Sequence, residues 1–188
     1  MARWKTWKAT CTNTSTSKTI SSSRKPSSSN AASVAKRLAP SLRMLSLSCK
    51  YALRAAVFLA LRSRAGGRAG IREVAEGIDA NEHTTAKTLQ LLVREGIIAS
   101  AKGPHGGFFL EGDAGPLYLI DIVRVVDGTG LFFECGLGLH QCSELKPCPI
   151  HFTYKAAREQ LHREFSSISV QSLADDLEQG RAFLKRTL

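Results

Sequence analysis

Cys135, Cys142, Cys148 and His151 follow one another in a C-x6-C-x5-C-x2-H spacing, and they are the residues of this chain whose types and spacing most suggest chemistry. The residues between them include Gly136, Gly138, Pro147 and Pro149, which suit neither a helix nor a strand. Soft thiolates gathered on a flexible loop suit an iron–sulfur cluster or zinc. Three incidental thiols are the bland alternative. Cysteine is scarce in the rest of the chain, however, and prefers buried, regular positions, so ligand type and loop context together favour a metal or cluster site.

Other chemistry finds little support. No nucleophile stands with a paired base, no phosphate-binding loop is present, and no pair of carboxylates is spaced for acid–base work. Gly66, Gly67 and Gly70 read as a helix-breaking loop rather than a nucleotide motif. A metalloenzyme is therefore a weak reading.

The whole chain of 188 residues carries a formal charge of +10 and a pI near 9.7, which invites a nucleic-acid partner. That charge is unevenly placed. Residues 1–43 hold nine Lys or Arg and no acid, whereas residues 44–188 hold 17 basic and 16 acidic side chains, so the body is close to neutral. The Ser/Thr-rich stretch 1–43 has no apolar periodicity and is expected to be a disordered basic extension. It resembles an organellar transit peptide in composition but lacks an amphipathic helix, and Met44 opens a segment that reads at once as folded protein. No apolar run reaches membrane-spanning length, since Arg54 and Arg62 interrupt the best one. Five cysteines without a small disulfide-dense scaffold point to a reducing cytoplasm.

The elements that must position the cysteines read as follows. A strong helix former runs from Ser48 to Leu61, with Tyr51, Ala55, Phe58 and Leu59 on one face. Ile71, Val74, Ala75 and Ile78 define a short second helix ending near Asp79, and a turn through Ala80 and Asn81 leads to a third from Glu82 to Glu95, stopped by Gly96. Residues 97–102 and 108–111 read as a hairpin around a Gly-rich turn. Helix, turn, helix, hairpin is the order of a winged helix-turn-helix domain, so the expected fold is mainly α with a small β-wing, spanning 44–128. A helix from about Leu117 to Val126 leads into the cysteine loop at 129–150. Beyond it, residues 151–188 are expected to hold a dimerisation helix, with Tyr154, Ala157, Leu161, Phe165 and Ile168 as its seam, and a last helix capped by Ser169.

In such a domain the start of the second helix of the motif enters the major groove, which makes Glu82, His83, Thr84, Thr85, Lys87 and Thr88 the expected readers of a double-stranded DNA operator. Lys102 and His105 sit at the hairpin tip among glycines, suited to phosphates or a narrow minor groove. Lys50 and Arg54 on the first helix could add backbone contacts. A solvated helix face, or a winged helix used only for protein contacts, is the competing reading.

Residues 44–188 resemble the IscR and NsrR type of bacterial transcription regulators. The likeness rests on Lys50 to Arg54, on Ala86 to Gly96, on the wing from Lys102 to Leu110, and on the three-cysteine loop. It implies a dimeric winged-helix regulator of the bacterial cytoplasm, not an enzyme, that senses redox state, nitric oxide or iron–sulfur status. It also implies that Cys135, Cys142 and Cys148 are cluster ligands and that His151 lies where IscR-like members place a histidine ligand. A [2Fe–2S] cluster is preferred to [4Fe–4S], with structural zinc, or thiols without metal, as the alternative. Where NsrR-like members place an aspartate at the start of the first helix, this chain has Lys50, with Cys49 beside it. Its first cysteine interval is six residues rather than the commoner five.

Overall fold

Alanine dominates the buried side of the first helix, α1 (Leu47–Arg64), where Ala52, Ala55, Ala56 and Ala60 lie with Val57 and Leu59. Small side chains let neighbouring elements approach the axis closely on several sides, so α1 becomes the centre of the core instead of one of its walls. The computed structural model describes residues 44–112 and 115–185; the basic extension at 1–43 lies outside the described residues. Ser46 caps α1 by accepting from the Cys49 amide at 3.0 Å.

The helix-turn-helix follows from the expected signals. α2 (Ile71–Gly77) buries Val74 and Ala75, and its final glycine is required because a Cβ there would lie 2.3 Å from the Phe58 ring. Asp79 takes a left-handed conformation (φ 50°) in the turn, which Asp tolerates better than most residues. Asn81 then caps α3 (Glu82–Arg94), accepting from the amides of His83 and Thr84 at 2.9 and 3.3 Å. Leu89 and Leu92 anchor α3 in the core.

The wing is shorter than the sequence pattern implies. β1 (Ala99–Ala101) and β2 (Gly107–Phe109) pair antiparallel, with Ala99 opposite Phe109 and Ala101 opposite Gly107. Ile97 and Ile98 instead close the end of α3, their amides bonding to the Leu92 carbonyl. Ala69 adds a third strand-like bridge, exchanging backbone hydrogen bonds of 3.0 and 2.9 Å with Phe108. The wing is thereby tied to the loop between α1 and α2.

α4 (Leu119–Val126) buries Leu119, Ile120, Ile122 and Val123, and a one-turn helix α5 (Gly130–Phe133) opens the segment read from sequence as loop. α6 (His151–Ser167) and α7 (Val170–Glu178) complete the chain.

α7 turns Val170 and Ala174 inward, into the same core as α1. The Val170 amide bonds to the Leu117 carbonyl at 2.7 Å, the Leu119 amide bonds to the Ile168 carbonyl at 3.1 Å, and Arg64 of α1 pairs with Asp175 and Glu178 of α7. The winged-helix core therefore includes the C-terminal helix. Of the seam expected on α6, Leu161 and Phe165 pack partly on a second core of Cys49, Ile120, Val123 and Phe132, and Ile168 on the first. Ala157 alone of the five is exposed. An amphipathic helix packs its apolar stripe on apolar surface, and within one protomer Tyr154, Leu161, Phe165 and Ile168 are half-buried.

Candidate functional site

The cysteine loop is held at both ends by helices. α5 delivers Cys135, and α6 begins at His151, whose amide bonds to the Cys148 carbonyl at 3.0 Å. Between them, Gly138 takes a positive φ of 68° and Gly136 lies so close to the Tyr154 ring that a Cβ would be 3.0 Å from it. These glycines let the loop fold back on itself.

The folding back brings the three sulfurs together, all within 4.8 Å of one another, with Cys135 Sγ and Cys148 Sγ 3.7 Å apart. Two thiolates sharing one tetrahedral metal at a bond length of about 2.3 Å stand about 3.8 Å apart, so this pair already has a chelating separation. His151 is 9% exposed and joins the group from one side: its Nδ1 lies 3.1 Å from Cys142 Sγ, but it is not within 4.8 Å of all three sulfurs. Its Nε2 is buried with no hydrogen-bond partner among the described residues. Cys49 lies elsewhere, in the second core.

The electrostatics of the loop favour a cation. Backbone amides of Leu139 and Leu137 lower the Cys135 thiol to about 7. At Cys142 the Cys148 amide pulls the same way, but desolvation and the neighbouring sulfurs outweigh it and the net shift is upward. Thiols so close resist ionising together, and a bound cation removes that repulsion. The donor set, the unpartnered Nε2 and the 3.7 Å sulfur separation all fit a thiolate-bound metal or cluster.

On the opposite functional surface, α3 exposes Glu82, His83 and Lys87, with Thr84 half-buried. Glu82 pairs with Arg72 at 3.3 Å. Thr85 and Thr88, expected as readers, face inward instead, at 0% and 5% exposure. The Thr88 hydroxyl donates to the Thr84 carbonyl at 2.9 Å, and the Thr85 hydroxyl has no partner among the described residues. The two threonines lie three residues apart on the turn that packs with Leu89 and Leu92. Gln90 and Arg94, not singled out from the sequence, continue the exposed stripe begun by His83 and Lys87. Extending the helical period outward as well as inward would have found them.

Lys102 and His105 are exposed at the wing tip, as is Lys50 at the start of α1. Arg54 is turned elsewhere, stacked over the Tyr51 ring at 5.0 Å and donating to the Leu184 carbonyl at 3.4 Å. Arg68 lies over the Phe109 ring of the wing, also at 5.0 Å.

No helix among the described residues is long and apolar enough to cross a membrane. The fold is similar to that of CymR, the global cysteine regulator of B. subtilis, with a TM-score of 0.58 at 23% identity over 72% of this chain and 98% of that one. It is similar also to T. potens IscR, with a TM-score of 0.56 at 20% identity over 73% and 90%. In sequence, the chain is 25% identical over 129 residues to the HTH-type transcriptional regulator IscR of Xenorhabdus nematophila, covering 69% of this chain and 77% of that protein. The profile of the Rrf2 family, described as an iron-dependent transcriptional regulator, matches residues 45–176. With a winged-helix core, an exposed stripe on α3 and a family match across most of its length, this chain belongs to the Rrf2 family of transcriptional regulators and not to a family of enzymes.

Proposed function

We propose that this regulator works in the bacterial cytoplasm as a homodimer that binds an operator through α3 and the wing, and that a cluster on the cysteine loop sets its affinity. The observation that carries the sensing half is the gathering of Cys135, Cys142 and Cys148 within 4.8 Å, on a loop lying between the winged helix and α6. In this reading the three cysteines hold the cluster and His151, already against Cys142, supplies the fourth ligand. The bound group supplies redox-sensitive iron; the loop supplies thiolates and shields one flank.

Of the two clusters, [2Fe–2S] is the proposed one, with Cys135 and Cys148, 3.7 Å apart, as the pair on one iron. The same separation fits zinc, which is the second reading. Glu82, His83, Thr84 and Lys87 are the proposed base readers, with Gln90 and Arg94 added from their exposure; Lys102, His105 and Lys50 are proposed to hold phosphates. The second copy is proposed to pack along the seam of α6, where Tyr154, Leu161, Phe165 and Ile168 are only half-buried within one protomer and Ala157 is exposed.

Coupling follows from connectivity. A cluster gained or lost changes the charge and order of the loop, and the loop joins α5 to α6. Reciprocity requires that operator binding change cluster stability by the same factor. The test is anaerobic purification of the full chain, with absorption and Mössbauer spectra to identify the metal, then operator binding with and without it. Equal affinity in both states ends the sensing proposal and leaves DNA binding intact. A zinc-only preparation replaces the cluster with the second reading, and cluster retention in His151→Ala removes His151 as ligand.

A further inference from the structure

We propose that the cleft between α5 and α6 is a binding site for a small, flat organic anion such as an aromatic carboxylate. The cleft, open to solvent on one side, offers about 310 Å³, at the lower end of the range usual for small-molecule sites. Its walls are aromatic: Phe132 and Phe133 both meet the His162 ring edge-on, with centroids 5.3 and 5.6 Å away. Phe133 is 62% exposed, an uncommon state for so large an apolar side chain and one that a flat ligand would relieve.

Its rim is cationic. Lys155, Arg158 and Arg163 face the cleft, against one carboxylate, that of Glu159. Glu159 stands 3.8 Å from Lys155, so the lysine charge is partly answered. Among the described residues neither arginine has a carboxylate partner: Arg158 donates to the Glu134 backbone carbonyl at 2.5 Å, and Arg163 to the Gln160 side chain at 2.6 Å. Planar guanidinium groups beside aromatic rings match a planar carboxylate, which accepts two parallel hydrogen bonds while its ring packs on phenylalanine.

Two of these cations also tether the cysteine loop. The carbonyl held by Arg158 belongs to the residue before Cys135, and Lys155 pairs with Glu144, which lies between Cys142 and Cys148. An anion in the cleft competes with Glu134 and Glu144 for the same side chains, so its binding loosens the loop. The site is thus a second input to the cysteine loop, independent of which metal the loop holds.

The test titrates the full-length protein by calorimetry with benzoate, cyclohexanecarboxylate and inorganic phosphate as separate probes. Saturable binding of benzoate, weaker for the puckered ring and weaker still for phosphate, is expected. Arg158→Gln should weaken benzoate about tenfold, the loss of a hydrogen bond to a charged group. Phe133→Ala should weaken it about threefold, through lost ring packing. Because Arg158 also holds the loop, Arg163→Gln serves as a variant that leaves the tether in place, and it too should weaken binding. Hydrogen exchange across residues 134–148 should quicken about twofold or more when benzoate saturates. No saturable binding, phosphate binding as tight as benzoate, or affinity unchanged in all three variants would overturn the site; unchanged exchange at saturation would overturn the link to the loop. Neither measurement uses DNA or a cluster, so failure of the regulatory proposal would leave the result readable.

Discussion

The carboxylate of Asp127 accepts hydrogen bonds from both the amide and the hydroxyl of Ser46, at 2.7 and 2.5 Å. Asp127 ends α4 and Ser46 caps α1, so one carboxylate joins the helix that leads into the cysteine loop to the helix at the centre of the core. It also places negative charge at the positive end of α1, where a helix dipole favours it. Replacing Asp127 with Ala should lower stability by about 1 to 2 kcal/mol, and a double-mutant cycle with Ser46→Ala should return a coupling of about 1 kcal/mol. Urea denaturation at neutral pH measures both, and additive losses would show that the pair does not act as a unit.

Cys49 lies in the same corner, fully buried. Burial first, then the nearby Asp127 charge, raises its thiol from 9.0 to about 12. The unfolded chain therefore releases this proton at a lower pH than the folded one. The stabilisation is fully present below pH 9.0 and is lost as pH rises toward about 12. Unfolding free energy should fall through that window, and Cys49→Ala should flatten the decline. The comparison is between the slopes of the two proteins, since lysines and tyrosines titrate in both; equal slopes would refute the assignment.

The inward-facing hydroxyl of Thr85 makes an unusual prediction for a residue near the start of a recognition helix. Its Oγ1 is buried without a partner among the described residues, so Thr85→Val removes an unsatisfied group at nearly constant shape. The variant should be as stable as the parent or more stable, by up to about 1 kcal/mol. Operator affinity should stay unchanged. Lys87→Ala should instead weaken operator binding and reduce the salt dependence by about one counterion if Lys87 meets a phosphate. Gel-shift titrations at several salt concentrations separate the two; a large affinity loss in Thr85→Val would restore it as a reader.

The wing depends on a glycine for a reason that packing makes plain. Gly107 takes a φ of +149°, and a Cβ there would stand 2.9 Å from the Ala69 carbonyl oxygen, within the bridge that ties the wing to the core. Gly107→Ala should cost about 1 to 3 kcal/mol through strain and a displaced backbone. Amide exchange should rise at Ala69 and Phe108 while α1 stays protected. Operator affinity should fall with the loosened wing.

Much of this molecule is legible in the order of its residues because local periodicity and capping act over a few positions. The cap at Ser169 and the stop at Gly96 mark helix boundaries that the chain adopts, whereas the caps at Ser46 and Asn81 emerge only from the structure. The spacing of Cys135, Cys142 and Cys148 likewise announces a ligand set before any fold is known, since soft donors recur within one Gly- and Pro-rich segment.

Period alone does not say which partner an apolar stripe will meet. Leu161 and Phe165 follow a helical repeat that serves a dimer or a core equally well, and only the fold shows that within one protomer they reach the core of Phe132 and Val123. Thr85 and Thr88 are polar in type and were read as outward, but α3 is rotated by the anchoring of Leu89 and Leu92, and that rotation buries them. The pairing of Ser46 with Asp127 spans 81 positions, and the cleft between Phe133 and Arg158 joins two helices across the cysteine loop. By itself the sequence determined the kinds of helix, the wing and the donors of the cysteine loop, because those depend on near neighbours. The tertiary structure decided which faces are covered and which distant charges meet, because burial is settled by the whole chain packing at once.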